Sequence, residues 1–279
     1  MLFWGGAKNW FIYGYEKTPT VNAKSLISGS DVLYATWING NNTLRNRLGE
    51  LDYQNGSQGM WARIYGGKLK GDNFSNNYQT YQIGYDGAVS LYATKKGKYG
   101  DNVDIVLKHG QMQGEIDTFG RVTDSGDFDT KGTSLSLEYN KRIQQANGVF
   151  IEPQAQLSLG HINSTDYTTK NGTKVRYDDI DSAVARLGFA VGKDFAKGNI
   201  YLKASALHEF GGKGAVHMLA SDGASLSENK DYSGTWCELG LGTNWQTGKN
   251  SHVYLDVERS FGGEFEKQWQ VNAGMNWNF

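Results

Sequence analysis

The chain alternates. Counting back from its end, Phe279, Trp277, Met275, Ala273 and Val271 fall on one side, and Asn278, Asn276, Gly274, Asn272 and Gln270 on the other. In a strand successive side chains point to opposite faces, so this stretch predicts a strand with one apolar and one polar or small face. The same two-residue period recurs upstream. Ile151, Pro153, Ala155, Leu157 and Leu159 oppose Glu152, Gln154, Gln156 and Ser158, and Leu135, Leu137 and Tyr139 oppose Ser136 and Glu138. Similar segments start near Met60, Gln79, Val103, Ala185, Leu202, Cys237 and Val253. Ten strands are legible in this way.

One region breaks the period. Over residues 21–52, Leu26, Leu33, Trp37, Leu44, Leu48 and Leu51 recur mostly at spacings of three, four and seven, which predicts a helix with Thr20 as its N-cap. Polar and small residues surround that stripe, and Gly29 and Gly40 weaken it. A helix of that length would be about 45 Å long. It is too polar to face lipid.

Composition supports an all-β chain, with 37 Gly, 16 Tyr and only 2 Pro in 279 residues. A net charge of −1 gives no basic field for nucleic acid. Mean hydropathy is −0.56, and no run approaches the roughly 18 apolar residues of a membrane helix. That fits a soluble sandwich, but also a membrane barrel, whose strands need only one greasy face. The single cysteine, Cys237, allows no intrachain disulfide. Met1 is followed by Leu-Phe-Trp-Gly-Gly rather than a basic start and apolar core, so a secreted or membrane protein of this sequence is expected to come from a longer precursor.

Two features separate sandwich from barrel. Long polar connections (117–131, 165–181, 211–231) alternate with tight ones such as 196–198 and 246–250, as expected of a barrel with one outward rim. The polar face also carries full charges: Arg63, Asp86, Asp104, Lys108, Glu138, Glu152, Arg186, Lys203, Glu209, Glu238, Asp256 and Glu258. A closed sheet with lipid outside and a polar lumen leaves no edge and needs no second sheet. The apolar face is therefore expected to point outward.

Several segments, in order, resemble the C-terminal translocator domain of autotransporters, the type V secretion barrels. They are LRNRLGEL (44–51) running into GMWARIYGG (59–67), YQIGYDGA (81–88), FIEPQAQLSLGH (150–161), ARLGFAVGKDF (185–195), YLKASALHEFGG (201–212) and VNAGMNWNF (271–279). The likeness covers roughly residues 20–279. It implies a transmembrane antiparallel β-barrel of even strand count, 10–12, with an N-terminal α-helix inside the pore. The family barrel has twelve strands, and about a hairpin's worth of sequence is missing here between Asp86 and Leu91.

On this resemblance, residues 1–20 are a passenger stub or linker, 21–56 a pore helix with its linker, and 57–279 the barrel. The implied function is delivery of an N-terminal passenger across the bacterial outer membrane, with the pore plugged by the chain's own helix. Arg45, Arg47 and Glu50 of the plug are expected to meet Arg63, Glu152 and Arg186 of the lumen. The terminal row Val271, Ala273, Met275, Trp277 and Phe279 resembles the signal read by the barrel-assembly machinery, for which an edge-added strand is a physical rationale. Expected partners are outer-membrane lipid, that machinery and the passenger, with no nucleic acid and a monomeric state. A passive porin-like channel and a barrel-anchored surface hydrolase remain as alternatives.

Some members of the family free the passenger by cyclisation of an asparagine in the pore helix, aided by wall carboxylates. The matching positions are Asn42, Asp104 and Glu138, although Thr43 stands where those members have a second asparagine. The competing reading makes the asparagines plug surface, with both acids in structural pairs. The five histidines have no metal-type spacing, so no metal or cofactor is expected. No Asp-x-His pair of the outer-membrane protease kind occurs. Asp124 to Asp129 lacks calcium-loop spacing and reads as an extracellular loop.

Overall fold

The computed structural model describes residues 3–6, 9–12, 18–41, 43, 45, 46, 59–72, 74–86, 92–96 and 101–278. A two-stranded sheet, β1 (Phe3–Gly6) and β2 (Asn9–Ile12), precedes helix α1 (Val21–Asn39). The wall strands begin with β3 (Gly59–Gly71), β4 (Ser75–Asp86), β5 (Tyr92–Lys96), β6 (Asp101–Asp117) and β7 (Ser125–Lys141). After the two-residue β8 (Ile143–Gln144) come β9 (Val149–Ile162), β10 (Thr165–Thr168), β11 (Lys174–Tyr177) and β12 (Ile180–Phe195). The chain ends with β13 (Gly198–Glu209), β14 (Lys213–Leu219), β15 (Ser225–Asp231), β16 (Gly234–Gln246), β17 (Ser251–Phe261) and β18 (Phe265–Asn278).

The wall runs β4-β3-β18-β17-β16-β13-β12-β9-β7-β6-β5, antiparallel throughout. The first and last wall strands in chain order therefore lie side by side, since β18 pairs with β3 from Asn278↔Gly59 onward. The path gives the expected antiparallel wall, but not a closed one. It holds eleven strands among the described residues, so its two end strands run the same way and the sheet stays open between them. β5 is also short, covering β6 only from Asn102 to Val106. This open seam falls where the sequence is short by a hairpin.

Burial settles which face is wet. On β18 Val271 and Trp277 are 39% and 43% exposed, while Gln270, Asn272 and Asn276 are 1%, 0% and 1% exposed. Leu187, Leu202 and Leu239 likewise point out, and Glu138, Glu152, Asp256 and Glu258 point in. An apolar exterior around a charged interior is the inverse of a soluble sandwich, and only lipid makes that exterior stable.

The long connections are not loops. β6 and β7 are 17 residues each, about 55 Å of chain, and so rise well past an apolar band about 25 Å tall. The segments 165–181 and 211–231 contain β10, β11, β14 and β15, a small sheet above the same rim that joins the wall at Asp181↔Lys213. Tyr167, Val175, Tyr177, Val216 and Met218 are buried there, so the segments that looked like polar linkers carry an apolar face of their own. Among the described residues the opposite rim has short turns, at 142–148, 196–197 and 247–250. Between β17 and β18, Gly262 and Gly263 sit at φ 83° and 80°, the left-handed pair a tight hairpin needs.

Candidate functional site: a helix held in the lumen

Helix α1 starts as its sequence indicates, with the Thr20 hydroxyl accepting from the Ala23 amide at 3.2 Å. It ends earlier than the leucine spacing suggested, because Gly40 takes the C-cap and its N–H donates to the Thr36 and Trp37 carbonyls. Helix α1 is 19 residues, about 28 Å, and after the break at Gly40 helical backbone recurs at Arg45 and Asn46. Gly29 has a contact role. A Cβ there would lie 2.2 Å from Ile116 Cδ1 and 2.3 Å from Tyr177 Oη, so its absence lets wall and cap close on the helix.

The N-terminal end lies at the long-stranded rim, where Asn22 donates to the Val122 carbonyl (2.8 Å) and accepts from the Gly120 amide (2.9 Å). The cap sheet grips the next turns. Tyr177 donates to the Leu26 carbonyl (2.7 Å), Lys230 pairs with Asp31 (2.6 Å), and Tyr232 donates to Asp31 (2.9 Å). Burial pushes the Tyr167 phenol up to about 12 and the Tyr177 phenol well above the usual range, so both stay neutral and share a 2.9 Å bond. Tyr34 stacks on Tyr232, centroids 4.2 Å apart, and donates to Glu209 on the wall (2.6 Å). Leu26, Ile27, Leu33, Trp37 and Ile38 fill the remaining space against Ile162, Ile180, Val184 and Leu207.

At the other end Lys108 donates to the Trp37 carbonyl (3.2 Å) and Asn41 Oδ1 (2.8 Å), with its ammonium 3.7 Å from the Trp37 ring centroid. A cation there meets the negative end of the helix dipole. Below it the chain is clamped. Arg45 pairs with Glu152 and lies 4.5 Å over the Tyr201 ring, and Asn46 donates to Glu258 (2.6 Å). The Asn46 carbonyl accepts from Arg63 (2.6 Å) and Asn272 (2.8 Å). Glu258 also holds Lys203 and Lys267 (3.0 Å), Lys267 reaches Glu238 (3.3 Å), and Arg186 binds Glu238 (2.6 Å). Buried charges this dense persist because each has a partner of opposite sign. Beside them, between α1, Asn46 and the wall charges, lies a void of about 30 Å³.

Of the residues named from sequence, Arg45 meets Glu152, Arg63 meets the same plug segment at Asn46, and Arg186 is bonded across the wall to Glu238. Arg47, Glu50, Asn42 and Phe279 lie outside the described residues. Asp104 and Glu138 stand opposite one another in the β6–β7 register, each 2% exposed, and Asn140 also donates to Glu138 (3.4 Å). Val271, Ala273, Met275 and Trp277 share the outward row of β18. Sequence reasoning missed Tyr34, Asp31, Lys230, Tyr232 and Lys267. For Lys267 the cause is a bulge. The β18–β3 register slips between Lys267 and Trp269, which turns Lys267 inward where plain alternation puts it outside.

An antiparallel wall whose first and last strands in chain order pair, with an apolar exterior, a charged interior and a helix held in it, defines the class of outer-membrane β-barrels. Residues 87–258 match the family described as Autotransporter beta-domain, and the chain belongs to that family. It is 27% identical to the pertactin autotransporter of Bordetella parapertussis over 313 aligned positions, 95% of this chain and 33% of that protein. It is 25% identical to the probable autotransporter YcgV of Escherichia coli K12, over 86% of this chain and 29% of that protein. The chain thus spans about a third of the length of the curated relatives it matches. The 313 positions exceed its own 279 residues, so pertactin carries residues with no counterpart here, in line with the open seam.

Among solved structures it is similar to the beta domain of the Bordetella autotransporter BrkA, with a TM-score of 0.60 and 20% identity, covering 80% of this chain and 100% of that one. The transport unit of AIDA-I from Escherichia coli gives 0.53 and 15%, covering 94% of this chain and 100% of that one. The chain is an outer-membrane translocator β-domain of an autotransporter, and its relatives imply an attached passenger.

Proposed function

We propose that this domain holds the chain that precedes it at the outer face of the membrane, with residues 1–20 the end of the passenger or its linker, 21–56 the plug and its linker, and 57–279 the barrel. The direction of threading carries this reading. Asn22 is bonded at the long-stranded rim, Lys108 holds the helix end midway, and Arg45 reaches Glu152 near the short-turn end of β9. The chain thus runs inward from residue 22 to residue 46, which puts Thr20 and the start of α1 at the outer rim. The outward row of β18 is the surface that the assembly machinery reads before β3 and β17 enclose that strand. A reporter domain fused ahead of residue 1 is expected to become protease-accessible on intact cells. Reporter retained inside cells whose barrel is folded in the outer membrane would sink the proposal.

The buried, opposed Asp104 and Glu138 favour a second reading, self-cleavage after Asn42. Purified folded protein incubated for days is expected to yield a new N-terminus at Thr43 under it, while an intact chain shows that the two acids serve structure alone.

A further inference from the structure

A second feature lies on the lipid-facing surface, and lumen and plug play no part in it. Three outward rows cross the wall in direct register on β6, β7, β9 and β12. Two are apolar, Ile105–Leu137–Leu157–Ala185 and Leu107–Leu135–Leu159–Ala183. The next row toward the outer rim is His109–Thr133–His161–Asp181, polar at every position. Hydrogen bonds join it in pairs, His109 to Thr133 (2.9 Å) and His161 Nδ1 to Asp181 (2.7 Å). Hydrocarbon contact therefore ends and the headgroup layer begins within one two-residue step of each strand.

At this boundary the wall carries a shallow groove, open to the membrane, with Leu107, Leu135, Leu159, Ala183 and Phe210 on its apolar side and His161 and Asp181 at its polar end. Asp179, just before β12, brings a second carboxylate to that end, and ligand atoms of His161, Asp179 and Asp181 lie within 4.8 Å of one another. All three side chains are exposed, so small rotations bring them onto one ion. One imidazole and two carboxylates form a mixed nitrogen–oxygen set suited to a borderline divalent cation, and three protein ligands leave coordination positions open. No spacing in the sequence signals the cluster, because residue 161 meets 179 and 181 only across the β9–β12 pairing.

We propose that His161, Asp179 and Asp181 hold a divalent cation at the outer rim, and that this cation binds the phosphate of a surrounding lipid whose acyl chain lies in the groove below. Charge decides the order of assembly. Two carboxylates repel a bare phosphate, whereas a bound cation reverses the local sign and gives the phosphate oxygens a ligand position. Shape decides the lipid. A soluble phosphate uses the cation alone, but only an amphiphile covers the leucine row as well.

The full chain, folded in zwitterionic detergent micelles, is titrated with MnCl2 and free Mn²⁺ is followed by its paramagnetic resonance signal. One tight site per chain is expected, weakened about tenfold or more by the pair Asp179→Asn and Asp181→Asn. Equal binding by parent and variant overturns the proposal. Native mass spectrometry with phosphatidic acid then tests the lipid. Adducts are expected with Mn²⁺, lost with EDTA, and lost in Leu135→Thr/Leu159→Thr, which retains Mn²⁺ binding. Adducts that survive EDTA overturn the cation bridge, and an unaffected leucine variant or equal competition by inorganic phosphate overturns the lipid assignment. Each variant is first shown to keep the heat-modifiable gel mobility of a folded barrel.

Discussion

Replacing Glu258 by alanine is expected to cost the folded barrel about 3–5 kcal/mol, the penalty of leaving buried charges without their partner. One carboxylate, 4% exposed, serves Lys203, Lys267 and the plug residue Asn46. Its loss leaves Lys267 with Glu238 and Lys203 with Asp256 at 3.4 Å, while Arg186 competes for the same Glu238. Truncating an apolar wall residue gives no such surplus of positive charge. Urea unfolding in micelles, followed by loss of heat-modifiable mobility, measures it. Glu258→Gln should cost less, because it keeps an acceptor for Asn46. The pair Lys203→Met/Glu258→Leu should recover part of the loss, since an apolar pair of similar volume needs no counter-ion. A Glu258→Ala midpoint equal to that of the parent would show that water, and not the ion network, solvates these lysines.

Deleting residues 18–46 is expected to raise single-channel conductance in planar bilayers by about tenfold or more, since a charged lumen relieved of its helix fills with water. The intact protein should conduct poorly, because the helix and the Arg45–Asn46 clamp occupy the lumen against the wall residues and their ion network. The wall should survive the deletion. Strand pairing runs from β4 through β18 to β6 without help from α1, so strand content by circular dichroism should be retained. Severing only the outer grip, with Tyr232→Ala and Lys230→Ala, should give brief openings and no permanent pore, since Lys108 and Arg45 still hold the inner end. Equal conductance with and without the helix would mean that the plug does not control the pore. A high conductance in the parent would favour a passive channel.

Much of this protein is legible in a line of residues. Alternation along Val271 to Trp277 set the inward and outward faces of β18, because strand geometry leaves an unbulged strand no other assignment. Full charges on one parity across nearly every strand identified the wet side as the inside, since lipid does not tolerate them. Thr20 marked the helix start, because a cap acts within three residues.

What the line of residues does not contain is pairing between distant segments. The cap sheet looked like polar linkers because its strands are four to seven residues long, too short for a period to show, and they bury Tyr167, Tyr177 and Val216 against one another, the helix and wall residues such as Phe128. The helix stopped at Asn39 although its leucine spacing continued, because Gly40 caps it, and beyond that break Arg45 and Asn46 are helical again while bonded to wall carboxylates. Lys267 changed sides at a bulge, and His161 met Asp179 and Asp181 across a β-pairing. The sequence by itself determined the two faces of each strand and the solvent each face requires. Only the tertiary structure decided which charges, rings and ligands meet, because those contacts depend on register between segments up to 226 residues apart, and no local period encodes register.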